Sequence, residues 1–276
     1  MGVSTGPSLA ELYRYPVKGL SGERLDEVTL TPGDGVPGDR ILALALPTTE
    51  FDEDSPVALG KRAFLMLLRD ERLARVRTSY DQRTGELTVD DGTRRWSADL
   101  AIPAGRRSVE DFFAALAAPT AGTSPDGALP RLVSARGGHR FTDAGPSGPE
   151  LMRAVSLVNL ASLRDFADAV GRPVDPLRFR ANLHLDGLAA WAERDLAGQE
   201  ISVGAVRLRV LCDIPRCAAT TVNPHTAERD LKVLKELQTH YGHTEFGSYA
   251  TVLTAGTIRP GDPVVLPTAD GAKQRL

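Results

Sequence analysis

The stretch EISVGAVRLRVLCDIPRCAATTVNP, residues 200–224, contains the pattern from which the fold can be read. Residues 200–203 and 206–211 alternate apolar and polar side chains, as half-buried β-strands do. Gly204-Ala205 between them is a turn signal. The stretch therefore predicts two neighbouring strands, the second of which carries the chain to Cys217.

Cys217 is the strongest candidate for chemistry in this stretch. It follows Pro215 and Arg216 and precedes the hydroxyl side chain of Thr220. A free thiol is only about 3% thiolate at pH 7, and a neighbouring cation or a bound metal raises that fraction. Taken alone, these residues leave three alternatives open: a reactive or metal-binding thiol, a small buried apolar residue, or a redox pair with Cys212.

The same strand pattern recurs along the chain, with Gly- and Pro-rich turns between the segments. Strands are predicted at residues 9–17, 25–30, 40–46, 74–80, 86–90, 94–100, 155–158, 182–186, 248–253 and 256–266. Many short strands with few helices indicate an α+β, β-rich fold and not a parallel doubly wound sheet. We expect a β-barrel core, a barrel-like N-terminal segment and a few peripheral helices.

Three helices are predicted from capping signals. Ser108 is expected to cap a helix through Leu116, Asn159 a helix that ends at Gly171, and Asp230 a helix that ends at Gly242. Residues 118–129 and 137–149 are rich in turn-forming residues and predict a linker. We therefore expect one domain over residues 8–145 and a second over residues 146–268.

Composition narrows the functional classes. The chain has 276 residues, a net charge of −3 and no tract rich in Lys and Arg, which argues against nucleic acid as a partner. No apolar run is long enough for a membrane helix and no signal peptide is evident, so a cytoplasmic protein without a membrane partner is expected. Two cysteines cannot form a disulfide framework.

Four basic residues lie beside turns or at the ends of predicted strands, where a cation can face a pocket: Lys18, Arg40, Arg180 and Arg216. The chain has neither a P-loop nor a G-x-G-x-x-G motif, so a bound phosphate would be held by such side chains and scattered amides. The histidines show no metal-binding spacing, and no G-x-S-x-G nucleophile elbow is present.

Several separated motifs resemble those of MOSC-domain proteins, in the group of YcbX and the mitochondrial amidoxime-reducing component. The N-terminal motifs are LYRYPVK at 12–18 and PGDR at 37–40, and the later ones are RFRAN at 178–182, PRCAATTVNP at 215–224, FGSY at 246–249 and GTIRPGDPV at 256–264. They occur in the family order, and residues 47–150 match weakly.

The resemblance implies a molybdenum cofactor, a pterin dithiolene with a phosphate, whose metal is bound by Cys217. It implies cofactor contacts from Lys18, Arg40, Asn159, Ser162, Arg180, Asn182, Arg216 and Thr220. It also implies an oxidoreductase that reduces small N-hydroxylated substrates with electrons from an external flavoprotein or iron–sulfur protein, and a family-level association with pyridoxal phosphate. Thiolate suits a soft metal and Arg suits a phosphate, in agreement with the chemistry of the residues.

The chain departs from the family pattern at a few positions. Gly19 stands where relatives often have Ser, Ala181 where they have Pro, and Ile214-Pro215 where many have Cys or Ser. Two other functions remain as alternatives. One is a sulfur carrier with a persulfide on Cys217, and the other is a binding module for a small anion with an inert cysteine.

Overall fold

The structure is a computed structural model that describes residues 6–117, 130–134 and 136–267. The strands are β1 Ser8–Arg14, β2 Glu23–Arg24, β3 Val28–Leu30, β4 Leu42–Ala45, β5 Arg77–Asp81, β6 Glu86–Asp90, β7 Arg95–Asp99, β8 Arg131–Ser134, β9 Val155–Asn159, β10 Leu183–Asp186, β11 Glu200–Val203, β12 Val206–Pro215, β13 Glu245–Val252, β14 Gly256–Ile258 and β15 Val264–Val265. The α-helices are α1 Pro103–Ala117, α2 Pro149–Met152, α3 Leu160–Ala169 and α4 Val233–Tyr241. Short 3₁₀ helices cover Lys61–Ala63, Glu71–Arg75, Gly145–Ser147, Pro176–Phe179, Ala192–Leu196 and Ala218–Thr221.

One eight-stranded sheet organises the molecule, with the strand order β15-β11-β12-β13-β9-β10-β1-β2. It is curled into a half barrel, and the fold is α+β as predicted. The predicted pair at residues 200–211 is present as β11 and β12, which are antiparallel with Val203 opposite Val206. Strands β9 and β10 are parallel, because α3 crosses between them.

The N-terminal strands are divided among several sheets. Strand β1 joins the large sheet beside β10, and β3 pairs with β14 near the C-terminal end. Strand β4 pairs with β8, and β5, β6 and β7 form the predicted meander. The barrel-like N-terminal segment is therefore not confirmed. The division at residue 145 stays a prediction, and the pairing of β1 with β10 joins the two parts.

The sheet is covered on both faces near its centre, which explains why all five residues of β9 are buried. Leu157 belongs to an apolar cluster with Leu9 and Leu208. Val158, its neighbour, belongs to a different cluster with Phe166 of α3. Successive side chains of a strand point to opposite faces, so β9 contributes to both cores.

Two of the three predicted helix starts are wrong. Helix α1 begins at Pro103, and Ser108 lies inside it with its hydroxyl donating to the carbonyl of Gly105 at 2.8 Å. Asp230 does not cap α4, which begins three residues later. The cap at Asn159 is confirmed, since its side chain accepts from the amide of Ala161. Within the described ranges, no helix is both long enough and apolar enough to cross a bilayer.

Candidate functional site

Cys217 lines a cleft beyond the end of β12 that encloses about 960 Å³, part of it open to solvent. Six of the residues expected at the site line this cleft together: Lys18, Arg40, Arg180, Arg216, Cys217 and Thr220. Asn159, Ser162 and Asn182 do not line it.

The backbone at the end of β12 fixes the position of Cys217. The amide of Arg216 donates to the carbonyl of Thr244 at 3.1 Å, which extends the contact between β12 and β13. Cys217 precedes the 3₁₀ helix Ala218–Thr221, and its carbonyl accepts from the amide and the hydroxyl of Thr220, at 3.1 and 2.9 Å. Thr220 thus holds the turn that presents Cys217, and the cysteine remains partly exposed.

Arg216 is held by backbone carbonyls. Its Nε donates to the carbonyl of Phe246 at 2.7 Å, one terminal nitrogen donates to the carbonyl of Phe179 at 2.8 Å, and its guanidinium lies 5.4 Å from the Phe179 ring centroid. Burial lowers the pKa of Arg216 to about 10. Because carbonyls are dipoles and not anions, these contacts orient the guanidinium without neutralising its charge.

Arg40 and Arg180 flank the ring of Tyr15. Their guanidinium carbons lie 5.0 and 4.5 Å from its centroid. Both residues have left-handed backbones, with φ of 51° and 52°, which is uncommon for residues other than glycine. Arg40 pairs with Asp39 and also donates to the carbonyl of Arg180 at 3.0 Å. Arg180 donates to the carbonyl of Leu20, and burial together with repulsion from Arg40 lowers its pKa to about 10.

Lys18 is only 6% exposed and also lines the cleft. Its Nζ donates to the carbonyl of Phe141 at 3.2 Å and to the carboxylate of Asp143. Burial lowers the pKa of Lys18, and the charge of Asp143 opposes that shift. Gly19, which departs from the family pattern, has a φ of +81°, and a Cβ there would lie 2.8 Å from the carbonyl oxygen of Leu65. A serine would be strained at this position.

The cleft carries an excess of positive charge. Six basic residues line it: Lys18, Arg40, Lys61, Arg178, Arg180 and Arg216. Asp143 is the single carboxylate among the described residues of the lining. Asp39 pairs with Arg40, and Asp230 pairs with Arg178, so Arg180 and Arg216 are left with carbonyl partners. A low-dielectric cleft with this charge attracts an anion.

Asn182 lies behind the cleft and joins strands. Its Oδ1 accepts from the amide and the hydroxyl of Ser156, at 3.1 and 2.8 Å. Its Nδ2 donates to the carbonyl of Tyr13 and to Asp39, both at 3.1 Å. These four contacts occupy its amide, and they link it to the cleft through Ser156, which lines the cleft, and through Asp39, which pairs with Arg40.

Asn159 and Ser162 belong to a buried network with Glu193. The Nδ2 of Asn159 and the hydroxyl of Ser162 donate to Oε2 of Glu193, at 3.0 and 2.8 Å. The Ser162 hydroxyl also accepts from the amide of Trp191 at 2.7 Å. Because these polar atoms already have protein partners and lie outside the cleft, we leave both residues out of the proposed site.

Two residues that the sequence reasoning did not assign to the site help to build it. Tyr15 supplies the ring between Arg40 and Arg180, and Asp39 orients Arg40. Asp39 lies within the turn motif at residues 37–40, directly before Arg40, so the sequence could have indicated that Asp39 contributes to the site. Nothing in the sequence indicated a role for Tyr15 at the site, because an aromatic residue at the end of a strand is commonly part of the hydrophobic core.

A metal bound by Cys217 would need most of its other ligands from a cofactor, because the described residues of the protein do not supply them. In the part of the chain that the structure describes, no group of three or more His, Cys, Asp and Glu residues could hold a metal ion. One thiolate beside an anion-binding cleft fits a metal that arrives within a larger anionic cofactor. It does not fit a metal ion bound by protein side chains alone.

Known proteins are similar to this chain over part of its length. Residues 136–265 match the family model described as the MOSC domain. The chain is similar to "Mitochondrial amidoxime-reducing component 1" of Mus musculus, with 36% identity over 118 residues that make up 38% of this chain and 34% of the relative. The protein of the same name from Homo sapiens is 31% identical over 122 residues, which cover 40% of this chain and 36% of the relative. The chain thus spans about a third of the length of these relatives.

Two solved structures are also similar. The YUAD protein from Bacillus subtilis is 13% identical, with a TM-score of 0.41 over 94% of this chain and 93% of that one. YiiM from Geobacillus stearothermophilus is 24% identical, with a TM-score of 0.33 over 41% of this chain and 54% of that one.

Proposed function

The chain is a MOSC-domain protein, and from that premise we propose that it is an oxidoreductase that binds a molybdenum cofactor in the Cys217 cleft. We propose further that it reduces small N-hydroxylated compounds. The observation that carries the proposal is the position of Cys217 in a cleft with two half-buried arginines, whose hydrogen-bond partners among the described residues are all carbonyls.

The residues fit the chemistry of the cofactor. A molybdenum cofactor combines a soft metal centre with an anionic pterin phosphate. The Cys217 thiolate is a ligand suited to such a metal, and Arg180, Arg216 and Lys18 are suited to its anionic groups. Bound phosphate would also supply the counter-charge that Arg180 and Arg216 lack, and the cost of burying these two cations would fall.

When bound, the cofactor supplies a redox-active metal that can remove the oxygen of an N–OH group. The overall reduction consumes two electrons and two protons and releases the amine or amidine and one water. In this reaction the chain's own residues have binding roles. Cys217 would hold the metal, the cleft cations would hold the phosphate, and the Tyr15 ring contacts the guanidinium groups of Arg40 and Arg180.

The electrons would come from a partner protein. A four-cysteine iron–sulfur cluster cannot be formed from the two cysteines of this chain. A flavoprotein or an iron–sulfur protein would supply both electrons. Cytoplasmic localisation and pyridoxal phosphate binding find no support in the comparisons and form no part of the proposal.

The test is elemental analysis of the full chain purified from a host that makes the cofactor. We expect molybdenum in the native protein and in Cys212→Ser, and a loss of most of it in Cys217→Ser. Cys212 lies on β12 outside the cleft lining, so Cys212→Ser is the matched control. The rate at which each protein reduces benzamidoxime with a chemical electron donor should be proportional to its molybdenum content.

Equal molybdenum in the two serine variants would overturn the role of Cys217. The sulfur-carrier alternative is not favoured by the comparisons. A mass increase of one sulfur on Cys217, reversed by reductant in a protein that takes up no molybdenum, would replace the proposal with that alternative.

A further inference from the structure

A second cavity lies behind one wall of the Cys217 cleft. It encloses about 890 Å³, part of it open to solvent. Leu67, Arg178, Arg180 and Ala219 line both cavities, and they form the shared wall. Cys217 lines only the cleft, and of the residues that the proposed function uses to bind the metal and the anionic groups, only Arg180, in the shared wall, also lines the second cavity.

Positive charge dominates this cavity. Four arginines and His225 line it, whereas none of its described lining residues is a carboxylate. Two of these side chains form ion pairs with carboxylates outside the lining. Arg178 lies 2.6 Å from Asp230, and His225 lies 2.6 Å from Asp175. The other three arginines, Arg24, Arg77 and Arg180, carry the remaining positive charge of the lining.

These three arginines have weak partners or none. Arg77 is exposed at the start of β5 and makes no hydrogen bond or ion pair with the described residues. Arg24 has a side chain that is 60% exposed, and it lies 3.8 Å from Glu11, a separation at which an ion pair in water contributes little. Arg180, in the shared wall, donates only to the Leu20 carbonyl. All three can therefore accept an anionic ligand without first breaking a strong ion pair.

The remaining lining is apolar or aromatic. Tyr13, Leu177, Val222 and Pro224 contribute side chains, and Tyr15 closes the wall beside Arg180. A fully hydrated inorganic ion would gain nothing from these surfaces. A molecule with an anionic group on a ring or other apolar body would bury that body against them while its charge meets the arginines.

We propose that the second cavity is a binding site for a small organic anion, a carboxylate or a phosphate on a ring-sized apolar body. Arg24 and Arg77 bind its charged group near the entrance, and Arg180 adds charge from the shared wall. This site is independent of the metal, because none of its three arginines needs the cofactor for its position.

The experiment is calorimetric titration of the full chain with benzoate, with phenyl phosphate and with neutral benzamide. We expect at least one of the two anions to bind and benzamide to bind far more weakly. Stronger binding of phenyl phosphate would identify the phosphate as the preferred group, and stronger binding of benzoate the carboxylate. The double variant R24Q/R77Q should weaken anion binding about tenfold, since two charge-assisted contacts are lost.

Two matched controls locate the ligand. Arg83→Gln removes an arginine with an 85% exposed side chain between β5 and β6, outside both cavities, and should leave the affinity unchanged. Lys61→Gln removes a cation that lines only the Cys217 cleft, and it should also leave the affinity unchanged.

Three results would overturn the proposal. The first is that neither anion binds at millimolar concentration. The second is that Arg83→Gln and R24Q/R77Q lower the anion affinity equally. The third is that Lys61→Gln lowers the anion affinity and R24Q/R77Q does not. The last result would place the ligand in the cleft. Cys217→Ser, which tests the molybdenum proposal, should bind the anions as the native chain does, so either proposal can fail without the other.

Discussion

The side-chain amide of Asn182 donates a hydrogen bond to the carboxylate of Asp39 across 3.1 Å, and that carboxylate also pairs with Arg40 at the cleft. Asp39 further accepts from the amide of Tyr15 at 2.7 Å. Asn182, at the start of β10, therefore fixes a turn that lies far from it in sequence. We assign it as a positioning residue that acts on the cleft through Asp39 and Arg40.

Replacing Asn182 with alanine should lower the free energy of unfolding by about 2–4 kcal/mol, measured by denaturant titration. The change removes the acceptor of the buried Ser156 hydroxyl and one of the hydrogen bonds to the Asp39 carboxylate. Gln238→Ala, on the exposed side of α4, is the control and should change the stability by less than about 0.5 kcal/mol. If the two variants have the same free energy of unfolding, the hydrogen bonds of Asn182 do not stabilise the contact between the strands.

Replacing Arg180 with glutamine should lower the binding of the cofactor while changing the stability of the chain only slightly. We expect the molybdenum content to fall about tenfold, because a buried cation that meets the anion is removed. The unfolding free energy of the cofactor-free chain should fall by no more than about 1 kcal/mol, because a buried charge without a carboxylate partner is also removed. Arg107→Gln, an exposed change on α1, should alter neither quantity. Full molybdenum retention in Arg180→Gln would contradict the assignment.

Gly247→Ala should disturb the wall that holds Arg216. Gly247 has a φ of +72°, and a Cβ there would lie 2.3 Å from the Leu157 carbonyl oxygen and 3.2 Å from an Arg216 nitrogen. We expect a loss of at least about 2 kcal/mol in stability together with lower molybdenum content. Gly92→Ala is the matched control, with a φ of +84° and open space around the new Cβ, and it should cost only about 1 kcal/mol. Equal losses in both variants would show that backbone conformation alone, and not contact, is responsible.

Glu193 should make stability depend on pH. Burial raises the pKa of this carboxyl, and its hydrogen bonds from Asn159 and Ser162 oppose the shift only partly. The folded chain therefore holds the proton more tightly than the unfolded chain does. The stability from this group is fully present below the unfolded pKa and is lost as pH rises through the folded pKa.

The comparison with Glu193→Gln isolates this effect, because glutamine does not titrate. The stability of the native chain relative to Glu193→Gln should fall as the pH rises above the ordinary pKa of a glutamate, because the folded chain then loses a proton that it held more tightly. Denaturant titrations of both proteins at several pH values measure the difference. A difference that stays constant, or that rises with pH, would show that the Glu193 carboxyl is not destabilised by burial.

Local patterns were sufficient for most of the strands, but β8 was not predicted. Alternation located the β11–β12 pair and the β5–β7 meander, because it reflects which face of each strand is buried. Capping signals were less reliable. Asp230 looked like a cap, yet its carboxylate accepts from Arg178 at 2.6 Å and from Asn223 at 2.9 Å, and neither contact follows from residues next to it.

The sequence by itself determined the chemistry available to this protein: a cysteine after an arginine, further cations beside turns, and the strand pattern that carries them. Only the tertiary structure decided which of these groups face the cleft. Arg180 and Arg216 find carbonyls in place of carboxylates and keep an uncompensated charge, whereas Asn159, Ser162 and Asn182 are occupied by protein partners. The reason is physical, because a polar group is free for a ligand only when no neighbour in space has already satisfied it.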